Sequence, residues 1–84
     1  MKKIIVYSKD YCSYCVMAKN LLSSLDIDYE EIDITKTPGI IVDLVKKSGL
    51  RTVPQIFVGD ICLGGYDQVS QLHRECKLLE VIKS

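Results

Sequence analysis

The chain has 84 residues, 48% hydrophobic and 26% charged, which fits one small globular domain spanning 1–84. Eleven basic residues balance eleven acidic ones, so there is no general attraction to nucleic acid or anionic membrane. No apolar run approaches the ~20 residues that a membrane span needs.

The opening, MKKIIVYSKD, holds too short an apolar run for a secretory signal core of roughly 7–15 residues. The chain therefore reads as cytoplasmic, where structural disulfides are uncommon. Residues 2–8, KKIIVYS, form a β-branched apolar run expected as a central strand buried on both faces. Ala18, Leu21, Leu22 and Leu25 fall at helical spacing, which predicts an amphipathic helix over 13–25. Residues 28–35, DYEEIDIT, are charged and only partly apolar, as suits an edge strand. Strand, helix and strand make a right-handed βαβ unit with parallel strands. Residues 36–49 predict a second helix, with Thr37 as cap, Pro38 at the first helical position and Gly49 as the stop. Ile40, Ile41, Leu44 and Val45 supply its buried stripe. Residues 54–65 read as a hairpin, Ile56–Val58 and Ile61–Leu63 around a Gly59–Asp60 turn. The spacing of Val69, Leu72, Cys76 and Leu79 predicts one continuous helix over 67–83. The order β-α-β-α-β-β-α is that of an α/β domain.

Four cysteines remain: Cys12, Cys15, Cys62 and Cys76. Cys12 and Cys15 lie between the first strand and the first helix, at a helix start whose unpaired N–H groups and partial positive charge favour a thiolate. Thiolate is the attacking species in disulfide exchange. Cys15 precedes Ala18 by three and Leu22 by seven residues, so it faces inward. Cys12 lies outside that stripe and faces solvent. This spacing assigns Cys12 as nucleophile and Cys15 as resolving thiol. A Cys-x-x-Cys beside a βαβ pattern points to thioredoxin-like redox chemistry. Two alternatives stand beside it: cysteines that only pack, and a zinc site drawing on Cys62, Cys76 and His73. Core filling accounts for Cys62 and Cys76, and His73 lies off the stripe.

Three motifs, KDYCSYC (9–15), RTVPQIFV (51–58) and GGYDQ (64–68), together resemble the glutaredoxins over nearly the whole chain. The resemblance implies a thioredoxin-like fold: a four-stranded mixed sheet flanked by three or more helices. It implies glutathione-dependent reduction of protein disulfides and protein–glutathione mixed disulfides, in electron transport and cell redox homeostasis. Glutathione is then the co-substrate, glutathionylated or disulfide-containing proteins are the partners, and the chain works as a monomer. By the same resemblance the glutathione-binding residues are Lys9, Tyr14, Thr52, Val53, Pro54, Gly65, Tyr66 and Asp67. Pro54 follows a cis peptide, and the Val53 backbone pairs with the tripeptide like a short added strand. Gly65, Tyr66 and Asp67 hold the γ-glutamyl end. Lys9 lies near the glycyl carboxylate.

Three positions depart from the family pattern. Ser13 stands where proline is commoner. Members without that proline include some that bind a [2Fe–2S] cluster between two subunits, here with Cys12 of each subunit and two bound glutathiones as ligands, so a glutathione-ligated cluster-binding dimer is one alternative. A thioredoxin-like electron carrier is another. Tyr66 stands where many members have cysteine. Ile41 replaces a Gln or Arg that binds the glycyl carboxylate, leaving Lys9 or Arg51 to serve.

Overall fold

The computed structural model describes residues 2–83; residues 1 and 84 of the expected domain lie outside the described residues. Strand β1 (Ile4–Ser8) lies between β2 (Glu30–Asp33), which it pairs in parallel, and β3 (Gln55–Val58), which it pairs antiparallel. Strand β4 (Ile61–Gly64) follows β3 antiparallel, so the sheet order is β2-β1-β3-β4. The sheet is mixed and four-stranded, as expected. β1 is internal, but Ile5 and Tyr7 are half-buried while Ile4, Val6 and Ser8 are buried. The strand buried throughout is β3. Lys2 and Lys3, included in the expected first strand, precede β1 and are exposed. β2 is an edge strand, four residues long rather than eight.

Helix α1 (Ser13–Ser24) buries Cys15, Ala18 and Leu22 against the sheet. Its end is hydrogen-bonded without glycine: Asp26 takes a left-handed φ of 57°. Its N–H donates to the Ser23 carbonyl, and Ile27 N–H donates to that of Leu22. This is the Schellman pattern, closed by contact of two buried side chains, Leu22 and Ile27.

Helix α2 (Ile40–Ser48) starts later than the Thr37–Pro38 signal predicts. Residues 34–36 form one turn of 3-10 helix, and Gly39 caps α2 with a left-handed φ of 85°. Of the expected stripe only Leu44 is buried; Ile40, Ile41 and Val45 are half-buried. Gly49 ends the helix as predicted.

The largest correction falls at the C-terminal end. The expected helix over 67–83 is two helices, α3 (Tyr66–Arg74) and α4 (Leu78–Lys83). Cys76 adopts a left-handed φ of 60° between them. Its N–H donates to the His73 carbonyl and that of Lys77 to the Leu72 carbonyl, a second Schellman stop. The chain re-enters helix in a new phase, so Leu78 and Ile82 are buried while Cys76 and Leu79 are exposed. Cys76 is thus not a core residue. Val6, Ala18, Leu22, Ile56, Val69, Leu78 and Ile82 share one core, which holds the β1–α1 loop, the β3 entry and the α3 start together.

Candidate active site

Cys12 is the N-cap residue of α1. Its sulfur accepts a hydrogen bond from the Cys15 N–H at 3.2 Å, a donor placed where a sulfur anion would need one. Its S–H faces the Val53 carbonyl at 3.9 Å. Cys12 is half-buried, and Ser13 and Tyr14 beside it are exposed. Cys15 lies one turn into the helix and is 1% exposed. Burial pushes its thiol up from the usual 9.0 to about 11; the hydrogen bond with Cys12 adds to the rise, and the Lys9 backbone amide opposes it. The charge on Cys12 raises it further, and the Lys19 ammonium lowers it. The two sulfurs are therefore unlike: one reachable at a helix start, the other shielded and held as a thiol.

One concavity is lined by Cys12, and another by Val53, whose carbonyl the Cys12 sulfur faces. The latter is a groove of about 400 Å³ lined by Tyr14, Thr52, Val53, Pro54, Gly65, Tyr66 and Asp67, with Leu50 and Gln68. All expected glutathione contacts except Lys9 meet there, although they come from three separate segments. The Val53–Pro54 peptide is cis. Val53 N–H makes no hydrogen bond among the described residues. The opposite wall is close-fitting: a Cβ on Gly65 would lie 3.2 Å from the Pro54 carbonyl oxygen. Gly64 has a φ of 106°, a conformation open to glycine, and a Cβ there would meet the Gln68 side chain at 2.9 Å. The Tyr14 and Tyr66 rings are 6.1 Å apart.

Two glutamines support this groove and were not singled out from the sequence. Gln55 is fully buried in β3. Its amide nitrogen donates to the Leu50 and Thr52 carbonyls, both at 3.0 Å, and its oxygen accepts from Ser48 Oγ at 2.9 Å. It ties the loop carrying Thr52 and Val53 to the end of α2. Gln68 Oε1 accepts the Gly65 N–H at 2.9 Å, which places Gln68 in a capping role at the start of α3. The signal for Gln55 was a polar residue inside an apolar strand run, which needs buried partners.

The other concavity, about 550 Å³, is lined by Cys12 itself. Lys9 lines it together with Cys12, apart from the other expected glutathione contacts. Arg51 is exposed and Ile41 half-buried, and neither lines the groove. Cys15, Lys19 and Glu31 also line this second space. Cys62 is half-buried in β4, where burial raises its thiol pKa. Among the described residues, no three His, Cys, Asp or Glu side chains are grouped to hold a metal ion. No described helix is long and apolar enough to cross a membrane.

Comparison with known proteins agrees with this geometry. Residues 4–62 match the family model Glutaredoxin. The chain is 37% identical over 78 residues to the glutaredoxin of Pseudomonas aeruginosa, covering 93% of each. It is 40% identical over 82 residues to the mitochondrial glutaredoxin-2 of Bos taurus, covering 94% of this chain but 52% of that longer protein. A crystal structure of a buckwheat glutaredoxin–glutathione complex superposes with a TM-score of 0.90 at 34% identity, over 98% of this chain and 77% of that one. The solution structure of the Brucella melitensis glutaredoxin gives 0.87 at 37% identity, over 99% and 90%. The fold, the Cys12–Cys15 pair and these matches together make the chain a member of the glutaredoxin family, whose proteins are glutathione-dependent thiol oxidoreductases.

Proposed function

We propose that residues 1–84 act as one monomeric, dithiol glutaredoxin domain that reduces protein–glutathione mixed disulfides and protein disulfides in a reducing compartment such as the cytoplasm. The observation that carries the reading is the position of the Cys12 sulfur. It caps α1, faces the Val53 carbonyl, and so stands at the edge of a groove whose walls present backbone to a peptide.

Glutathione lies in the groove as an added strand against Val53 and Pro54, with Thr52 beside them. Gly65 and Tyr66 at the start of α3 receive its γ-glutamyl carboxylate, and Asp67 its ammonium. Tyr14 closes the groove with Tyr66. Lys9 lines the other concavity with Cys12, where the departing protein thiol and the Cys12 sulfur both gain from a cation.

In the glutathionyl route, the Cys12 thiolate attacks the glutathione sulfur of the mixed disulfide. The S–S bond to the protein breaks, the protein leaves as thiolate, and Cys12–S–SG forms. A second glutathione thiolate then attacks this bond, releasing oxidised glutathione and free Cys12. In the dithiol route, Cys12 attacks a protein disulfide, and Cys15 attacks the resulting mixed disulfide on the Cys12 sulfur. The protein is reduced and a Cys12–Cys15 disulfide forms. While Cys12 is engaged, its hydrogen bond and its charge no longer raise the Cys15 pKa, leaving burial to oppose thiolate formation. Two of the causes that hold Cys15 as a thiol are thereby removed, while the largest, burial, stays.

A glutathione groove favours this reading over a thioredoxin-like carrier. The glutathione-ligated cluster-binding dimer would use the same groove, and its sole motive is Ser13. Turnover of a small glutathione mixed disulfide, coupled to glutathione reductase and NADPH, tests the assignment. Wild type and Cys15→Ser should turn over, and Cys12→Ser should fall by at least about a hundredfold. A folded wild type without turnover would overturn the reading, and so would a Cys12→Ser that keeps its rate.

A further inference from the structure

The concavity lined by Cys12 holds a side-chain chain with no part in the steps above. Glu31 of β2 accepts from Ser8 Oγ of β1 at 2.6 Å and from Lys19 Nζ of α1 at 2.8 Å, both at Oε2. Ser8 is buried, and the Lys19 side chain is only 26% exposed, low for a lysine. Lys19 follows Cys15 by four residues, so the two side chains occupy the same face of α1 one turn apart. Both line this concavity, together with Cys12 and Glu31.

We propose that Lys19, held in place by Glu31 and Ser8, is a positioning residue for the dithiol step, its ammonium supporting the Cys15 sulfur as that sulfur becomes an anion. This rests on the dithiol reading above. In the step, Cys15 gives its proton to water. Its thiolate attacks the Cys12 sulfur, the Cys12–substrate S–S bond breaks, and the Cys12–Cys15 bond forms. The substrate sulfur takes the electron pair and leaves as thiolate. Lys19 forms no bond to any reacting atom.

Cys15 is almost wholly removed from solvent, which makes its thiolate costly. Lys19 is the cation of α1 that opposes this cost, and the influence is mutual: Lys19 lowers the Cys15 pKa and Cys15 raises that of Lys19. The other charged or titratable groups facing the space are Lys9, Asp10 and Tyr11 of the β1–α1 loop and Asp33 of β2, while Tyr29 acts on Lys19 from before β2. The fixed ion pair matters because a free lysine side chain would extend into water. Glu31 and Ser8 bring β2 and β1 to bear on its position.

The test uses the full chain with Cys62→Ser and Cys76→Ser, so that only the two active-site thiols report. Rapid mixing with an aromatic disulfide gives one coloured thiolate when Cys12 attacks and a second when Cys15 closes the ring. The second phase is followed from pH 5 to 10. Wild-type Lys19 must show both phases and Cys15→Ser only the first; failure here sinks the dithiol reading itself. With that arm satisfied, Lys19→Met should move the midpoint of the second phase up by about one pH unit. At neutral pH the second phase should slow about threefold, because the tenfold loss of thiolate is partly offset by a more basic, more nucleophilic sulfur. The first phase and the glutathionyl turnover of the Cys15→Ser background should not change. Lys19→Arg, which keeps the charge and the carboxylate partner, should restore the midpoint. Lys19→Gln runs in parallel should Lys19→Met fold poorly. An unmoved midpoint in a folded uncharged variant would overturn the proposal, as would a shift that Lys19→Arg fails to reverse.

Discussion

The two concavities beside Cys12 are built on different principles. The proposed glutathione groove is bounded by the Val53–Pro54 peptide on one side and the tight Gly64–Gly65 turn on the other. The other concavity is walled by charged side chains, with the Glu31–Lys19 pair crossing from strand to helix. A backbone wall is sensitive to added volume and carries no net charge of its own, Asp67 at the α3 start excepted. A wall of ion-paired side chains is the reverse. The comparison therefore sorts mutational effects before any are measured.

The largest effect should come from volume at the groove. Gly64→Ala places a Cβ 2.9 Å from two Gln68 carbons, at a φ of 106° that L-residues avoid. Urea unfolding should show a loss of about 2–4 kcal/mol. A loss below about 1 kcal/mol would mean that the turn relaxes freely and the wall is not rigid. Next comes Gln55→Leu, of similar size but without its polar reach. It strips the Leu50 and Thr52 carbonyls of their donor and Ser48 Oγ of an acceptor. About 2–3 kcal/mol should be lost, and KM for the glutathionyl substrate should rise with it, since the Thr52–Val53 segment is no longer tethered. Unchanged KM in the folded variant would show that Gln55 serves stability alone. Asp67→Asn is smaller still: about a tenfold rise in KM with kcat near wild type, as expected for removing one partly solvated charge from a binding contact. A fall in kcat at constant KM would place Asp67 in the chemistry instead.

How much of this was legible in the sequence follows the same division. Cys12, Cys15, Ala18 and Leu22 are close in the chain, so helical spacing alone marked Cys15 as the more buried sulfur, although Cys12 is half-buried rather than facing solvent. The hairpin was legible because Gly59–Asp60 marks its turn. The groove was not visible from spacing, since Tyr14, Thr52–Pro54 and Gly65–Asp67 meet only through the fold; resemblance assembled them. The concavity that Lys9 lines was not legible either, because a residue three before Cys12 in sequence can face either side of it, and only coordinates choose. The break between α3 and α4 escaped because Glu75, Cys76 and Lys77 include no glycine or proline. The apolar spacing through Cys76 continued as though the helix did, while the stop was made by backbone hydrogen bonds and a left-handed cysteine. The late start of α2 has a similar cause: Thr37–Pro38 is a sound capping signal, but Gly39 takes the cap two residues on.

The smallest effect belongs to charge on the far wall, and it has a definite sign. Hydrogen bonds from Lys19 and Ser8 hold the Glu31 carboxyl below its usual 4.5 in the folded chain. A depressed carboxyl pKa means that the unfolded chain binds the proton more readily. The stability this confers is complete above the unfolded value near 4.5 and is lost as pH falls through the lower folded value. Glu31 is partly solvated, so the pair contributes no more than about 1 kcal/mol at neutral pH. Glu31→Gln should therefore lower stability slightly at pH 7 and flatten the acid limb of the stability profile below pH 4.5, where the two proteins converge. Added salt should shrink the difference at pH 7, because the pair is open to screening. Gly64→Ala should show the opposite pattern, a loss independent of pH and salt. If Glu31→Gln behaved in that way too, the far wall would be held by packing, and the contrast between the two concavities would fail.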